Sequence, residues 1–382
     1  MGSEESYVSM LKSESIDDLH GQDRTSGPNN NRLYGVSSFT QNRVRPQSFS
    51  ATWSIIYPNT ISPVPRYGHF TIYDNVSDVT IIGYGNDSNS NFCHDIWALG
   101  MKEYKWMKLN INLSQISPRY GTTAALYGKN VVCFGGKSGD HYLADLHVIN
   151  LETKTVSIVQ TPGDSPSGRI GHSMAIHGDK IVIWGGNNNA ILDDLWIFDI
   201  NKRKWTCHST QFGGRTESAY ASMNGLMYIG CSSKSDSILR YDFSSDAFDA
   251  LNVTGNPPPF EMKSANLVAV DRYLILIGGI LDNQKYTMIR AFDTVKNWWF
   301  VFHVSPDGET TTTADGSVDS NGIFMVPRTS HSSMIYRKET REVVIFLGQP
   351  TIDPPPLYVL KVGESLAYLH LQNDMFEMLK TN

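Results

Sequence analysis

An arginine recurs in tight turns beside proline or glycine: Pro65-Arg66-Tyr67-Gly68-His69, Pro118-Arg119-Tyr120-Gly121, Gly168-Arg169-Ile170-Gly171-His172, Gly214-Arg215 and Pro327-Arg328-Thr329-Ser330-His331. A guanidinium presents a planar fork of donors that captures a carboxylate or phosphate through paired hydrogen bonds. Arg66, Arg119, Arg169, Arg215 and Arg328 are therefore candidates for holding an anionic partner, with Tyr67 and Tyr120 adding stacking and hydroxyl contacts. The same repetition has an architectural reading. Each arginine can instead tie its turn to nearby carbonyls or to a repeated acid such as Asp95, Asp145 or Asp194. Departures from the repeat then become informative: Glu217, Glu261 and Lys263 replace the pattern and predict an asymmetric, partner-specific surface. Asn-, Ser- and Asp-rich segments at 86–91, 137–141, 187–189, 232–236 and 282–285 suit ligand hydrogen bonds and ordinary turns equally.

Other chemistries find less support. His69, His172 and His331 occur one per arginine turn, which predicts histidines spread apart and bonded to backbone rather than gathered on a metal. No HxH, HExxH, phosphate-loop, GxSxG or dinucleotide motif is present. No metal or cofactor is expected. Cys93, Cys133, Cys207 and Cys231 form no CxxC pair, and three of them adjoin apolar runs, as reduced packed thiols do. The 382 residues carry 32 Lys and Arg against 38 Asp and Glu, a net charge of −6, which gives no global attraction to nucleic acid. No apolar run is long enough to span a bilayer, and the acidic start lacks a secretory pattern. A cytoplasmic location is expected. Met1-Gly2-Ser3-Glu4-Glu5-Ser6 fits an acylation pattern at Gly2, although Glu4, Glu5 and the missing basic cluster oppose it. Membrane contact is expected only if Gly2 is acylated, and one chain alone anchors marginally.

The elements that must position these residues are strands. Apolar runs ending in glycine follow the turns: Thr80–Gly83, Val131–Gly136, Ile181–Gly186, Leu226–Gly230, Leu274–Gly279 and Val343–Gly348. A third strand follows, as in Asp95-Ile96-Trp97, Asp145-Leu146-His147 and Asp194-Leu195-Trp196, and a fourth carries Trp106, Trp205, Phe248 or Trp298. The period is roughly 50 residues, the range of repeat propellers. With this double-glycine, tyrosine and tryptophan pattern from Trp53 to about Lys361, the chain resembles the kelch-repeat family. The resemblance implies an all-β, six-bladed β-propeller of four strands per blade. A blade is apolar on both faces, so it gains stability only by stacking around an axis. The fourth repeat reads with Cys231 as its second glycine, and the fifth has Phe260 to Lys263 where the arginine turn belongs.

The last repeat lacks a fourth strand, while the segment around Trp53 is an orphan, so that strand is expected to close the ring. The organisation read from the sequence is a disordered tail at 1–50, a propeller at 51–363 and a short helical tail at 364–382. The resemblance further implies that the arginines lie near the channel mouth, as in kelch receptors of acidic peptides. The expected function is a non-catalytic adaptor or scaffold binding a protein partner, such as an acidic segment or a small GTPase, in trafficking, signalling or cytoskeletal organisation. No nucleic acid is expected. The alternative is a propeller enzyme, of sugar isomerase, oxidase or specifier type, with a loop-built site at the mouth.

Overall fold

The computed structural model describes residues 51–232, 237–259, 261–286, 288–302, 304–306 and 329–362. The 1–50 and 364–382 tails, Gly2 and Arg328 lie outside these described residues. Short strands of alternating or continuous apolar residues, closed by tight turns, pair into six antiparallel four-stranded units. Blade 1 comprises Phe70–Asp74, Val79–Gly83, Ile96–Gly100 and Lys105–Leu109; blade 2 comprises Thr123–Tyr127, Asn130–Phe134, Leu146–Asn150 and Thr155–Ile158. Blade 3 is Ser173–His177, Lys180–Trp184, Leu195–Asp199 and Lys204–His208; blade 4 is Ala219–Met223, Leu226–Gly230, Ile238–Asp242 and Ala247–Leu251. Blade 5 is Asn266–Val270, Tyr273–Ile277, Arg290–Asp293 and Trp298–Val301. Blade 6 uses Ser333–Arg337, Glu342–Phe346 and Leu357–Lys361, and its outer strand is Ala51–Ile56, antiparallel to Leu357–Lys361 with Trp53 opposite Leu360. The first strands contact one another in sequence around the axis, and that of blade 6 meets that of blade 1. The molecule is a closed six-bladed propeller.

Aromatic side chains fill the gaps between blades, where neighbouring sheets splay apart. Trp106 packs edge-on against Phe346 of blade 6, Trp205 against Phe134 of blade 2, and Phe248 against Trp184 of blade 3. In blade 5 the equivalent residue is Trp299, opposite Phe292 and only 2% exposed, rather than Trp298. The correction follows from the two-residue period of a strand, where a one-residue shift turns a side chain to the other face. Trp53 is buried and stacks on Tyr358, with ring centroids 5.3 Å apart.

A backbone latch joins each blade to the next. After the second strand come two residues of positive φ, the first being Tyr84, Gly135, Gly185, Cys231, Gly278 or Leu347. The N–H of the second donates to the carbonyl at the head of the next blade's entry turn. These bonds run from Gly85 to Arg119, Gly136 to Arg169, Gly186 to Arg215, Ser232 to Met262, Gly279 to Thr329 and Gly348 to Arg66, at 2.8–2.9 Å. At Gly186 the φ of 97° coincides with an approach so close that an added Cβ would lie 2.8 Å from the Ile170 carbonyl. The latches correct the repeat's register. Cys231 holds the first position of its pair, with Ser232 second, and the blade 6 equivalent of Arg66 is Thr329, not Arg328.

Deleting residues 1–56 removes the outer strand of blade 6, whereas deleting 1–45 leaves it in place. Thermal unfolding should show a large loss of melting temperature for the first truncation and a wild-type value for the second. Equal melting of the two would contradict closure by this strand.

Candidate functional site

The four described arginines of the repeat lie beneath the surface, each 0–3% exposed. Arg66 donates to the carbonyls of Val64 and Tyr84 and pairs with Asp95 at 2.6 Å. Arg119 does the same with Ser117, Gly135 and Asp145 (2.7 Å), and Arg169 with Ser167, Gly185 and Asp194 (2.5 Å). Each acid uses its other oxygen to accept an N–H from the third strand: Trp97 Nε1 at 2.9 Å, His147 Nδ1 at 2.9 Å and Trp196 Nε1 at 2.7 Å. The guanidinium therefore binds its own turn, the turn after the second strand and the start of the third strand together. This geometry supports the bracing reading of Arg66, Arg119 and Arg169 over a ring of free guanidinium groups. Arg215 departs, because Ser237 replaces the acid: it donates to the Ser237 carbonyl and hydroxyl, and burial lowers its pKa to about 10. Tyr67 and Tyr120 remain half-buried, Tyr67 edge-on to His331 and Tyr120 stacked on Phe92.

Two residues beyond the head of each entry turn, and two before each first strand, stands a residue in the left-handed region. The six are Gly68 (φ 64°), Gly121 (70°), Gly171 (63°), Glu217 (55°), Ser264 (54°) and His331 (50°). Backbone bonds join several of them in succession: Gly121 N to Gly68 O, Glu217 N to Gly171 O, Ser264 N to Glu217 O and His331 N to Ser264 O. All six line a cavity of about 320 Å³ on the axis, walled by all six blades. Glycine adopts this backbone freely, whereas each other residue there costs about 1 kcal/mol. Blades 4, 5 and 6 bear that cost in succession, and their side chains meet.

The Ser264 hydroxyl donates to Glu217 Oε2 and lies 2.9 Å from His331 Nε2, while that nitrogen is 3.6 Å from Glu217 Oε2. The His331 contact, helped by Ser264 and Lys263, outweighs burial and brings the Glu217 pKa down to about 2. Glu217 is thus a fixed negative charge at the channel mouth. It also borders a second cavity of about 790 Å³, shared with Ser264, Glu261, Lys263, Leu281 and Asp282. Among the described residues no group of three or more His, Cys, Asp or Glu is placed to hold a metal ion. The three histidines differ from the backbone-bonded set predicted from their spacing. Nε2 of His69 meets the Ser333 hydroxyl and that of His172 meets Thr123, both across a blade junction, while His331 occupies the glycine position. Sequence reasoning singled out Glu217 but missed Ser264 and misplaced His331 by one residue. Counting two residues back from each first strand, rather than forward from each arginine, finds all six.

The repeated arginine–acid brace, paired turn residues and blade order define a kelch-type propeller. Residues 26–229, more than half of the chain, match the family model described as the KLHDC2/KLHL20/DRC7 Kelch-repeats domain, and the chain belongs to the kelch-repeat family. Human Kelch domain-containing protein 3 is 26% identical over 185 residues, covering 44% of this chain and 48% of that protein. Tip elongation aberrant protein 1 of Schizosaccharomyces pombe is 29% identical over 144 residues, 36% of this chain and 13% of its own length. The Leucine-zipper-like transcriptional regulator 1 homolog of Drosophila melanogaster is 24% identical over 240 residues, 57% and 25% of the two chains. The matched region thus spans about half the length of Kelch domain-containing protein 3 and less of the other two.

The brace has a pH signature. Burial pushes the Asp145 carboxyl up, but bonds from His147 and Arg119 outweigh it and leave a pKa of about 2, below the ordinary 3.8. A folded pKa below the unfolded one confers stability that is complete above about pH 4 and lost as pH falls through about 2. Asp145→Asn should cost about 3 kcal/mol at pH 7 by leaving the Arg119 charge buried without its partner. In denaturant titrations the gap from wild type should close as pH approaches 2; a pH-independent gap would mean that the charge pair is not its source.

Proposed function

We propose that this protein is a non-catalytic adaptor that engages a partner protein through the propeller face carrying the entry turns and the loops between second and third strands. Backbone bridges such as Tyr120 to Lys137 and Lys263 to Ile280 hold these two loop sets together, so they form one surface. The observation that carries the reading is the replacement of glycine by Glu217, Ser264 and His331 at three successive left-handed positions. Strain of this kind persists where the surrounding structure enforces it, and such residues cluster at binding sites. Membership of the kelch-repeat family supports a protein-binding role. Trafficking, small-GTPase signalling and cytoskeletal organisation remain settings that suit such an adaptor.

The cluster is poorly arranged for hydrolysis. In a nucleophilic triad the acid orients the base and the base receives the serine proton. Here the serine proton points to Glu217, and His331 Nδ1 has no partner among the described residues.

A Glu217→Gly, Ser264→Gly, His331→Gly triple variant gives blades 4 to 6 the residue found in blades 1 to 3. Relief of about 1 kcal/mol per left-handed side chain offsets hydrogen bonds of similar worth, so its melting temperature should stay close to wild type. Affinity capture should then lose proteins that wild type and a Lys102→Ala, Glu103→Ala control retain. Identical retention by all three forms would contradict the proposal.

A further inference from the structure

The second cavity has a chemistry of its own. It lies beside the axial mouth among loops of blades 3, 4 and 5, with a volume of about 790 Å³, room for a side chain and adjoining backbone. Its floor reaches Glu217, whose side chain is 39% exposed. Ser264 and His331 engage one carboxylate oxygen, Oε2, and no bond to Oε1 is present among the described residues. The exposed carboxylates of Glu261 and Asp282 stand on the wall against the single ammonium of Lys263. The apolar part comes from Ile191, 57% exposed, and from half-buried Leu281. Gly213 leaves the opposite wall open, since a Cβ there would meet nothing within 4 Å.

Resting on the adaptor reading above, we infer that this groove receives a basic side chain, arginine or lysine, from a partner's peptide segment. The charge balance among the described lining residues is three carboxylates to one ammonium, opposite in sign to a rim of arginines. A long cationic side chain matches the remaining features. Its methylene stem covers the apolar surface of Ile191 and Leu281, while its head reaches the spare oxygen of Glu217. Ser264 and His331 act on this contact by position. The Ser264 hydroxyl bonds Oε2 and His331 Nε2 stands 3.6 Å from it, which aims the carboxylate and keeps it ionised, so the charge needs no reorganisation when the partner arrives.

The test uses full-length protein and four pools of end-blocked, fluorescein-labelled heptapeptides, random except for a central Arg, Lys, Gln or Glu. Binding is read by fluorescence anisotropy with wild type, Glu217→Gln and the triple-glycine variant, each checked by thermal melting. The Arg and Lys pools should bind about tenfold tighter than the Gln and Glu pools, as charge-assisted hydrogen bonds to a partly buried carboxylate allow. Glu217→Gln, which keeps the side chain's shape, should remove most of that preference without changing the melting temperature. A preference for the Glu pool, or a basic preference that Glu217→Gln leaves intact, overturns this inference. If the Gln or Glu pools bind as tightly as the Arg and Lys pools and the triple-glycine variant abolishes that binding, basic recognition falls while the adaptor reading of this face stands. If no pool binds the folded protein, both fall.

Discussion

The structure depends on one hydrogen bond made six times: from the second residue of the turn after each second strand to the carbonyl that opens the next blade. A single blade has two apolar faces and cannot hold them in water. Stacking removes that exposure, but apolar contact alone does not fix the spacing of one blade against the next. The latches do, and the bond from Gly348 to Arg66 returns the chain of contacts to its start. Left-handed backbone at both residues of each pair brings the donor to the carbonyl, and this explains the glycines more directly than a general need for flexibility.

The arginines belong to the same frame. Arg66, Arg119 and Arg169 each sit at the residue whose carbonyl accepts the latch, and each guanidinium reaches back to a turn carbonyl and to an acid just before the third strand, whereas Arg215 meets Ser237 there. Charge that is absorbed in this way holds loops in place and leaves little for a ligand. The frame's regularity then presents six equivalent backbone positions around the axis. Three carry no side chain, and three carry Glu217, Ser264 and His331, so at these six positions blades 4 to 6 present hydrogen-bonding side chains and blades 1 to 3 present none. An adaptor built on a symmetric fold acquires its asymmetry here.

The six-bladed, all-β architecture was legible because burial on both blade faces forces apolar runs to recur with the blades. The bracing role was legible only as one of two readings: Asp95, Asp145 and Asp194 recur at a fixed place before the third strand, but spacing alone does not tell whether an arginine pairs with such an acid or faces a ligand. Local register was harder. Tyr84, Cys231 and Leu347 occupy left-handed positions that sequence reading assigns to glycine, and Trp299 rather than Trp298 faces the neighbouring blade. Each error is a single residue, because composition marks a turn without marking which backbone atom must meet its partner. The Glu217–Ser264–His331 cluster was only partly visible, since residues 47 and 67 positions apart in the chain become neighbours only when blades are stacked.

Native-state hydrogen exchange at the latch amides of Gly85, Gly136, Gly186, Gly279 and Gly348 tests this account most directly. If the latches form one closed ring, these amides should exchange with a common free energy equal to that of global unfolding. Exchange of the Gly348 amide at a much lower free energy than the others would show a ring that opens at its seam, and would contradict it.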